Sequence, residues 1–147
     1  MITGVSHTGI VVKDMDTIVA FYRDMFGFAV VLDTNVKGKE SDGIVGFQVE
    51  DERIVSMQLG DKHVEFLQYQ PGGRGYPEDY RSNDLFGMHL ALQTDDMERD
   101  YAMLKKRGVK MISQGPQTIK DHPIFAGTKV LYFQDPEGHP LELIQLP

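Results

Sequence analysis

The sequence predicts an α+β protein made of two tandem βαβββ modules. Its two halves are near-copies, because His7 and His89 each open a strand-like stretch and an Asp-Met pair follows seven residues later in both. A helical pattern then ends at a glycine, 20 residues after His7 and 19 after His89. Each half closes on a glutamate inside a hydrophobic strand, Glu65 and Glu142. Agreement of this length indicates the duplication of one ancestral unit.

The first module opens with a strand and a helix. Apolar and β-branched residues predict a strand over 4–12, and apolar residues at helical spacing follow it. Asp14 or Asp16 is the predicted N-cap of that helix, since aspartate accepts hydrogen bonds from the first free amides. Gly27 is predicted to end the helix.

The rest of the first module is predicted from strand-like patterns. Three further strands are expected, at 28–33, 53–59 and 63–70. Residues 60–62 are the hairpin turn between the last two strands. Residues 37–43 have the composition of a mobile loop, and 44–49 fit either a strand or a short turn of helix.

The second module repeats the order of the first. A helix is predicted over 97–107, with Asp95 or Asp96 as its N-cap. Four strands are expected, at 88–93, 109–112, 129–134 and 141–146. The turn formers that follow Gln70 predict a connector. We therefore predict a single domain over 1–147, organised as module 1 (1–70), linker (71–85) and module 2 (86–147).

Composition narrows the classes of function. A chain of 147 residues with 41% hydrophobic residues can bury a sizeable core. A net charge of −7 and a pI near 5.1 would repel phosphate backbones and anionic membranes, so neither nucleic acid nor a membrane is an expected partner. The chain has no cysteine, so a metal must be held by nitrogen and oxygen. The absence of a leader-like or membrane-spanning pattern predicts a cytoplasmic protein.

Four residues recur at matched places and are the candidate site. Because side chains alternate along a strand, Gly9 shares a face with His7 and Ala91 shares a face with His89, which leaves space in front of both imidazoles. A lone strand histidine is usually structural, and a lone strand glutamate usually faces solvent. The matched recurrence of His7, Glu65, His89 and Glu142 in apolar strands favours a shared function, since buried polar groups need a partner.

The other polar motifs are interpreted as structural. His63, His122 and His139 lie in predicted turns or loops, where exposure is expected. The run from Asp135 to Gly138 is a tight-turn sequence whose acids are predicted to shape the turn. The glycine-rich stretch 72–75 lacks the Gly-Lys-Ser/Thr of a phosphate loop.

The chain resembles the vicinal oxygen chelate superfamily, which includes glyoxalase I, methylmalonyl-CoA epimerase, extradiol dioxygenases, fosfomycin-resistance enzymes and bleomycin-binding proteins. The resemblance is carried by three segments: 6–10 (SHTGI), 21–27 with its Phe-Tyr and Phe-Gly pairs, and 133–143 (FQDPEGHPLEL). It implies paired βαβββ units that form a curved, partly closed mixed sheet around a central metal cleft. It also implies that the metal ligands are His7, Glu65, His89 and Glu142.

The resemblance also bears on the reaction. Extradiol dioxygenases use two histidines and one carboxylate and keep a facial set of positions open on Fe(II), so a glutamate at position 65 favours proton-transfer chemistry. The epimerase carries a further acid on its third strand, whereas 53–57 (RIVSM) contains none. The residues by which glyoxalase I holds glutathione have no match here.

The resulting hypothesis is a metal-dependent lyase or isomerase of the glyoxalase I or methylmalonyl-CoA epimerase type. One divalent ion (Zn, Ni, Co, Mn or Fe(II)) would stabilise an enediolate after Glu142 or Glu65 removes a proton next to the carbonyl of a small substrate. Two alternatives stay open: an Fe(II) extradiol-type dioxygenase, and a non-catalytic ligand-binding protein like those of bleomycin resistance. A homodimer is the expected assembly, with the modules paired within one chain or across two.

Overall fold

A computed structural model describes residues 1–77, 79–85 and 87–147, apart from the side chain of Glu40. The chain divides into two compact units, unit 1 at Met1–Gly75 and unit 2 at Tyr76–Pro147. The predicted linker contains Glu78 and the predicted module 2 begins at Phe86, and both of these residues lie outside the described part. The prediction that 1–147 is one domain stays a prediction.

Unit 1 is a four-stranded mixed sheet with two helices. The strands lie in the order β1-β4-β3-β2, where β1 runs parallel to β4 and the other pairs are antiparallel. Its elements are β1 (Thr8–Val11), α1 (Met15–Phe26), β2 (Ala29–Val36), α2 (Lys39–Val45), β3 (Asp51–Leu59) and β4 (Lys62–Gln70).

Unit 2 repeats this topology with the order β5-β8-β7-β6, and β5 is parallel to β8. Its elements are β5 (Leu90–Gln93), α3 (Met97–Lys106), β6 (Gln117–Thr118), β7 (Lys129–Gln134) and β8 (Pro140–Gln145). The α+β class and the duplicated strand order are therefore confirmed. The strands form two separate four-stranded sheets, and neither closes into a barrel.

The predicted helix ends are confirmed by their caps. The Asp14 carboxylate accepts from the Thr17 amide at 3.1 Å, and Gly27 ends α1 with φ +76°. In unit 2 the N-cap is Asp96, which accepts from the Arg99 amide at 3.0 Å. Acidic caps suit these positions because the first amides of a helix have no partner within it.

Two predictions about local structure are wrong. Residues 37–43 were expected to be a loop, but α2 begins at Lys39 and ends before Gly46, which has φ +78°. The helix forms although it contains a glycine, because Ser41 and Val49 are buried against the sheet. Residues 109–112 form no strand, and only an isolated bridge joins Met111 to Phe133. The edge strand β6 lies further along the chain instead.

The core of unit 1 lies between α1 and one face of its sheet. Ile18 and Tyr22 of α1 are fully buried, and the Tyr22 ring lies 4.7 Å from that of Phe66 on β4. Strand alternation places Val55 and Met57 on this same face, and both are buried. The opposite face, which we call the site face, carries Glu65 and its neighbours and is left free by α1.

Candidate functional site

Unit 1 brings His7 and Glu65 together. His7 immediately precedes β1, and the parallel register sets Gly9 of β1 beside Glu65 of β4. The His7 Nε2 atom lies 3.3 Å from Glu65 Oε1. The two side chains are 43% and 21% exposed, so a ligand can reach both. The Ser6 hydroxyl lies 3.2 Å from the other ring nitrogen, His7 Nδ1.

Unit 2 builds the same pair from the equivalent elements. Its parallel register sets Ala91 of β5 beside Glu142 of β8, as Gly9 stands beside Glu65. The His89 Nε2 atom lies 2.9 Å from Glu142 Oε2, with the side chains 44% and 11% exposed. The residue two places after each histidine is thus small and faces the glutamate, which keeps the space between the pair open.

Tyr132 is a site residue that the sequence reasoning missed. It lies on β7 directly opposite Glu142, and its hydroxyl donates to Glu142 Oε2 at 3.0 Å. The same hydroxyl lies 3.4 Å from His89 Nε2. Burial, followed by the hydrogen bond to Glu142, raises the pKa of Tyr132 to about 12, so the phenol is protonated at neutral pH. The signal was available, because hairpin pairing of 129–134 with 140–145 places Tyr132 opposite Glu142.

Each pair has the donor chemistry and the spacing of two metal ligands. Imidazole nitrogen and carboxylate oxygen bind ions such as zinc at about 2.0–2.2 Å, so two ligands at right angles on one ion lie about 3 Å apart. The separations of 3.3 and 2.9 Å are close to this value. Among the described residues, no group of three or more His, Asp or Glu side chains has a metal-binding arrangement. The four-residue ligand set therefore stays a prediction.

A second polar cluster in unit 1, which we call the Ser41–Glu52–Tyr69 cluster, was also missed. The Ser41 hydroxyl donates to Glu52 Oε2 at 2.7 Å, and these residues are 0% and 6% exposed. Tyr69 pairs with Glu52 across β3 and β4. Burial, then a hydrogen bond to Glu52, raises the pKa of Tyr69 to about 12. This cluster could not be predicted, because residues 34–52 have no clear hydrophobic pattern.

The remaining histidines differ from one another. His139 was expected to be exposed, but its Nδ1 atom lies 2.7 Å from Asp135 Oδ2 and its side chain is only 12% exposed, so this prediction is wrong. Asp135 also accepts from the amides of Glu137 and His139, which confirms that it shapes the turn. His122 is exposed, as predicted, and His63 is half-buried.

Comparison with known proteins shows the family to which the chain belongs. The family model of the Glyoxalase/Bleomycin resistance protein/Dioxygenase superfamily matches residues 4–143. The chain belongs to this superfamily. It is 32% identical to a 2-epi-5-epi-valiolone epimerase from an Actinomyces species, over 97% of this chain and 79% of that protein. It is 27% identical to a probable lactoylglutathione lyase from Vibrio cholerae, over 95% and 88% of the two chains.

A solved structure shows the same fold. A fosfomycin resistance protein from Listeria monocytogenes, solved in complex with Mn(II) and a sulfate ion, has a TM-score of 0.63 at 16% identity. The match covers 100% of this chain and 95% of that protein. The predicted family is confirmed by the family model, and the two relatives have the names of enzymes. No helix among the described residues is long and apolar enough to cross a membrane.

Proposed function

We propose that this protein is a divalent-metal-dependent isomerase of the epimerase type, acting on a small carbonyl compound. The observation that carries the proposal is the duplicated imidazole–carboxylate pair, His7 with Glu65 and His89 with Glu142. Support comes from the Actinomyces relative, whose name describes an epimerase. The reaction would break a C–H bond next to the carbonyl and deliver a proton from solvent, through the second carboxyl group, to the opposite face of the same carbon.

The proposed metal ligands are His7, Glu65, His89 and Glu142, supplied by one chain or by two copies in a homodimer. Two imidazoles and two carboxylates suit Zn, Ni, Co, Mn or Fe(II). When bound, the ion would act as a Lewis acid that polarises the substrate carbonyl and stabilises the negative charge that develops as the proton leaves.

The two carboxylates are the proposed bases. Glu142 is held by Tyr132 as well as by His89, whereas the Glu65 side chain is about twice as exposed, at 21% against 11%. We therefore assign proton removal to Glu65 in the direction of reaction that starts on the Glu65 side. Glu142 would carry a proton taken from solvent and would deliver it to the opposite face of the carbon, after which both carboxyl groups exchange protons with solvent. The reverse reaction exchanges the two roles. The electron pair of the broken C–H bond moves towards the carbonyl oxygen and back.

Tyr132 is proposed to act as a hydrogen-bond donor. A phenol whose pKa is raised to about 12 keeps its proton at neutral pH, so it can hold Glu142 or donate to a substrate oxygen, but it cannot serve as a base. The equivalent position in unit 1 is Ser56, opposite Glu65. The two halves of the proposed site therefore differ in the hydrogen-bond donor opposite the carboxylate, which is a phenol in unit 2 and a shorter hydroxyl side chain in unit 1.

A lactoylglutathione-lyase activity is the second candidate, favoured by the Vibrio cholerae relative. It would use the same ligands and the same proton transfer, but on the adduct of an α-ketoaldehyde with glutathione. The two candidates are separated by substrate, because only the second needs a thiol adduct.

The test begins with metal content and then follows the proton. Purified protein is expected to contain or take up a divalent ion by elemental analysis. In D₂O, the metal-loaded protein is expected to invert 2-epi-5-epi-valiolone at a carbon next to the carbonyl and to introduce deuterium there, as followed by proton NMR. Conversion of the methylglyoxal–glutathione adduct instead would favour the lyase, and dioxygen uptake with catechols would favour the dioxygenase.

Substitution assigns the roles within that test. Glu65→Gln and Glu142→Gln should each abolish turnover while the circular dichroism spectrum is retained. Glu98→Gln is the matched control, since this carboxylate lies on α3 with its side chain 66% exposed. A protein that binds no divalent ion under any condition would overturn the proposal, and full activity in Glu142→Gln would remove that residue from the mechanism.

We further propose that the protein works as a cytoplasmic homodimer. In this arrangement the two units of the site can come from one chain or from two. Light scattering of the purified protein at micromolar concentration checks the assembly, and a monomeric mass would limit the proposal to sites formed within one chain.

A further inference from the structure

The segment 39–49, which contains α2, covers one end of the site face in unit 1. It is fixed there by two contacts. The buried Ser41 hydroxyl donates to Glu52 Oε2 of β3, and the Phe47 ring lies 5.5 Å from the ring of Tyr69 on β4. Val49 closes the segment and is only 4% exposed. The segment is therefore packed onto the sheet and does not project into solvent as a free loop.

The strand register shows which part of the face is covered. Glu65, Leu67 and Tyr69 alternate onto the same face of β4, and Tyr69 stands beside Glu52. Tyr69 lies four positions after Glu65, which corresponds to about 13 Å along a strand. The contacts of segment 39–49 with Glu52 and Tyr69 thus lie roughly this far from the carboxylate of the proposed site.

The surface between these two points is apolar. Leu67 stands beside Val11 of β1 and Ile54 of β3, and Val11 is 55% exposed. At the far end, the polar groups of the Ser41–Glu52–Tyr69 cluster bond to one another, while the Phe47 ring is 50% exposed. A substrate chain that extends from Glu65 along β4 would therefore contact an apolar surface first and then the side chain of Phe47.

Unit 2 has no helix in the corresponding connection, which joins β6 to β7. All residues between α3 and β7 are described, and they form turns and the short strand β6. Helix α2 is thus a feature of one half of a duplicated fold, placed where it limits that half of the proposed site.

We propose that segment 39–49 is a wall that limits the length of a substrate chain directed along β4 to about 13 Å. This inference rests on the proposed function, because the length is counted from the proposed metal ligand Glu65. It disfavours acyl-CoA esters, whose thiol part is longer than this and would have to run in this direction. Phe47 is the specificity-determining residue of the wall.

The test uses hydroxamic acids, which chelate divalent ions through two neighbouring oxygens and can carry tails of any length. Co(II) is first titrated into the protein and followed by its visible absorption. The loaded protein is then titrated with octanohydroxamic acid, whose tail is shorter than the distance from Glu65 to Tyr69, and with tetradecanohydroxamic acid, whose tail is longer. Wild type should bind the short acid more tightly, by at least about tenfold. Phe47→Ala should remove most of this difference by tightening the binding of the long acid.

Phe125→Ala is the matched control, because Phe125 is an equally exposed aromatic residue of unit 2, at 47% against 50% for Phe47. It should keep the wild-type preference. Failure to take up Co(II) would overturn the proposed function and, with it, this inference. Uptake followed by equal affinity for both acids in wild type would overturn the wall alone, and so would a preference that Phe47→Ala leaves unchanged.

Discussion

Removal of the Ser41 hydroxyl is expected to destabilise the protein far more than most serine substitutions. Ser41 is 0% exposed and donates at 2.7 Å to Glu52, which is 6% exposed. Ser41→Ala leaves a buried carboxylate with one donor fewer, and hydrogen bonds to charged groups contribute about 1.5–3 kcal/mol. We expect the free energy of unfolding to fall by this amount, which corresponds to roughly 2–4 °C in Tm per kcal/mol for a chain of this size.

Urea unfolding at pH 7, followed by circular dichroism, measures this loss. A double-mutant cycle with Glu52→Gln isolates the contribution of the pair, since the second substitution removes the charge and keeps the shape. Hydrogen exchange adds a local readout, because the amides of 39–45 should exchange faster in Ser41→Ala. A change within about 0.5 kcal/mol of wild type, the range of ordinary surface substitutions, would refute the reasoning. Zero coupling in the cycle would do the same.

Three further outcomes are expected. Tyr132→Phe removes the donor to Glu142 and should weaken Co(II) binding by about 10–100-fold, as loss of a group that orients a ligand does; unchanged affinity would contradict this. The pKa of Tyr69 is raised to about 12, so its contribution to stability is complete below about pH 10 and is lost as the pH rises through 12; Tyr69→Phe should lack this alkaline loss in urea titrations. The hydrogen bond from Arg53 lowers the pKa of Asp33, so this pair stabilises the fold above about pH 3.9, and the stabilisation is lost as the pH falls through the lowered pKa. The difference in unfolding free energy between wild type and Arg53→Met should therefore shrink in acid. A difference that stays constant with pH would exclude the pair as its cause.

The elements that could be predicted from sequence are those with a strong local signal. The α1 helix has both an aspartate N-cap and a glycine end, and the β3–β4 hairpin has a glycine-containing turn between apolar strands. Helix α2 could not be predicted, because seven residues with an internal glycine have little intrinsic helical stability. It forms because Ser41 finds Glu52, a contact across 11 positions in the chain that no local pattern shows.

The same division explains which site residues were found. The duplication predicted His7, Glu65, His89 and Glu142 as candidates, because the two halves keep the same residue types at matched positions. A comparison of halves can reveal only what they share, and Tyr132 has Ser56 as its counterpart. The asymmetry of the proposed site therefore lies where the two halves differ, at Tyr132 in unit 2 and at segment 39–49 in unit 1.

These two differences between the units give their carboxylates different roles in the proposed reaction. A phenol that holds Glu142 fixes one carboxylate, and a more exposed Glu65 leaves the other free to move. The wall stands on the side of Glu65, so the half with the mobile carboxylate is also the half that limits the length of the substrate. Exchange of Ser56 for tyrosine should make unit 1 resemble unit 2, and we expect Ser56→Tyr to slow proton removal while Co(II) affinity is kept or increased. A variant with faster turnover would show that the asymmetry between the two carboxylates has no part in catalysis.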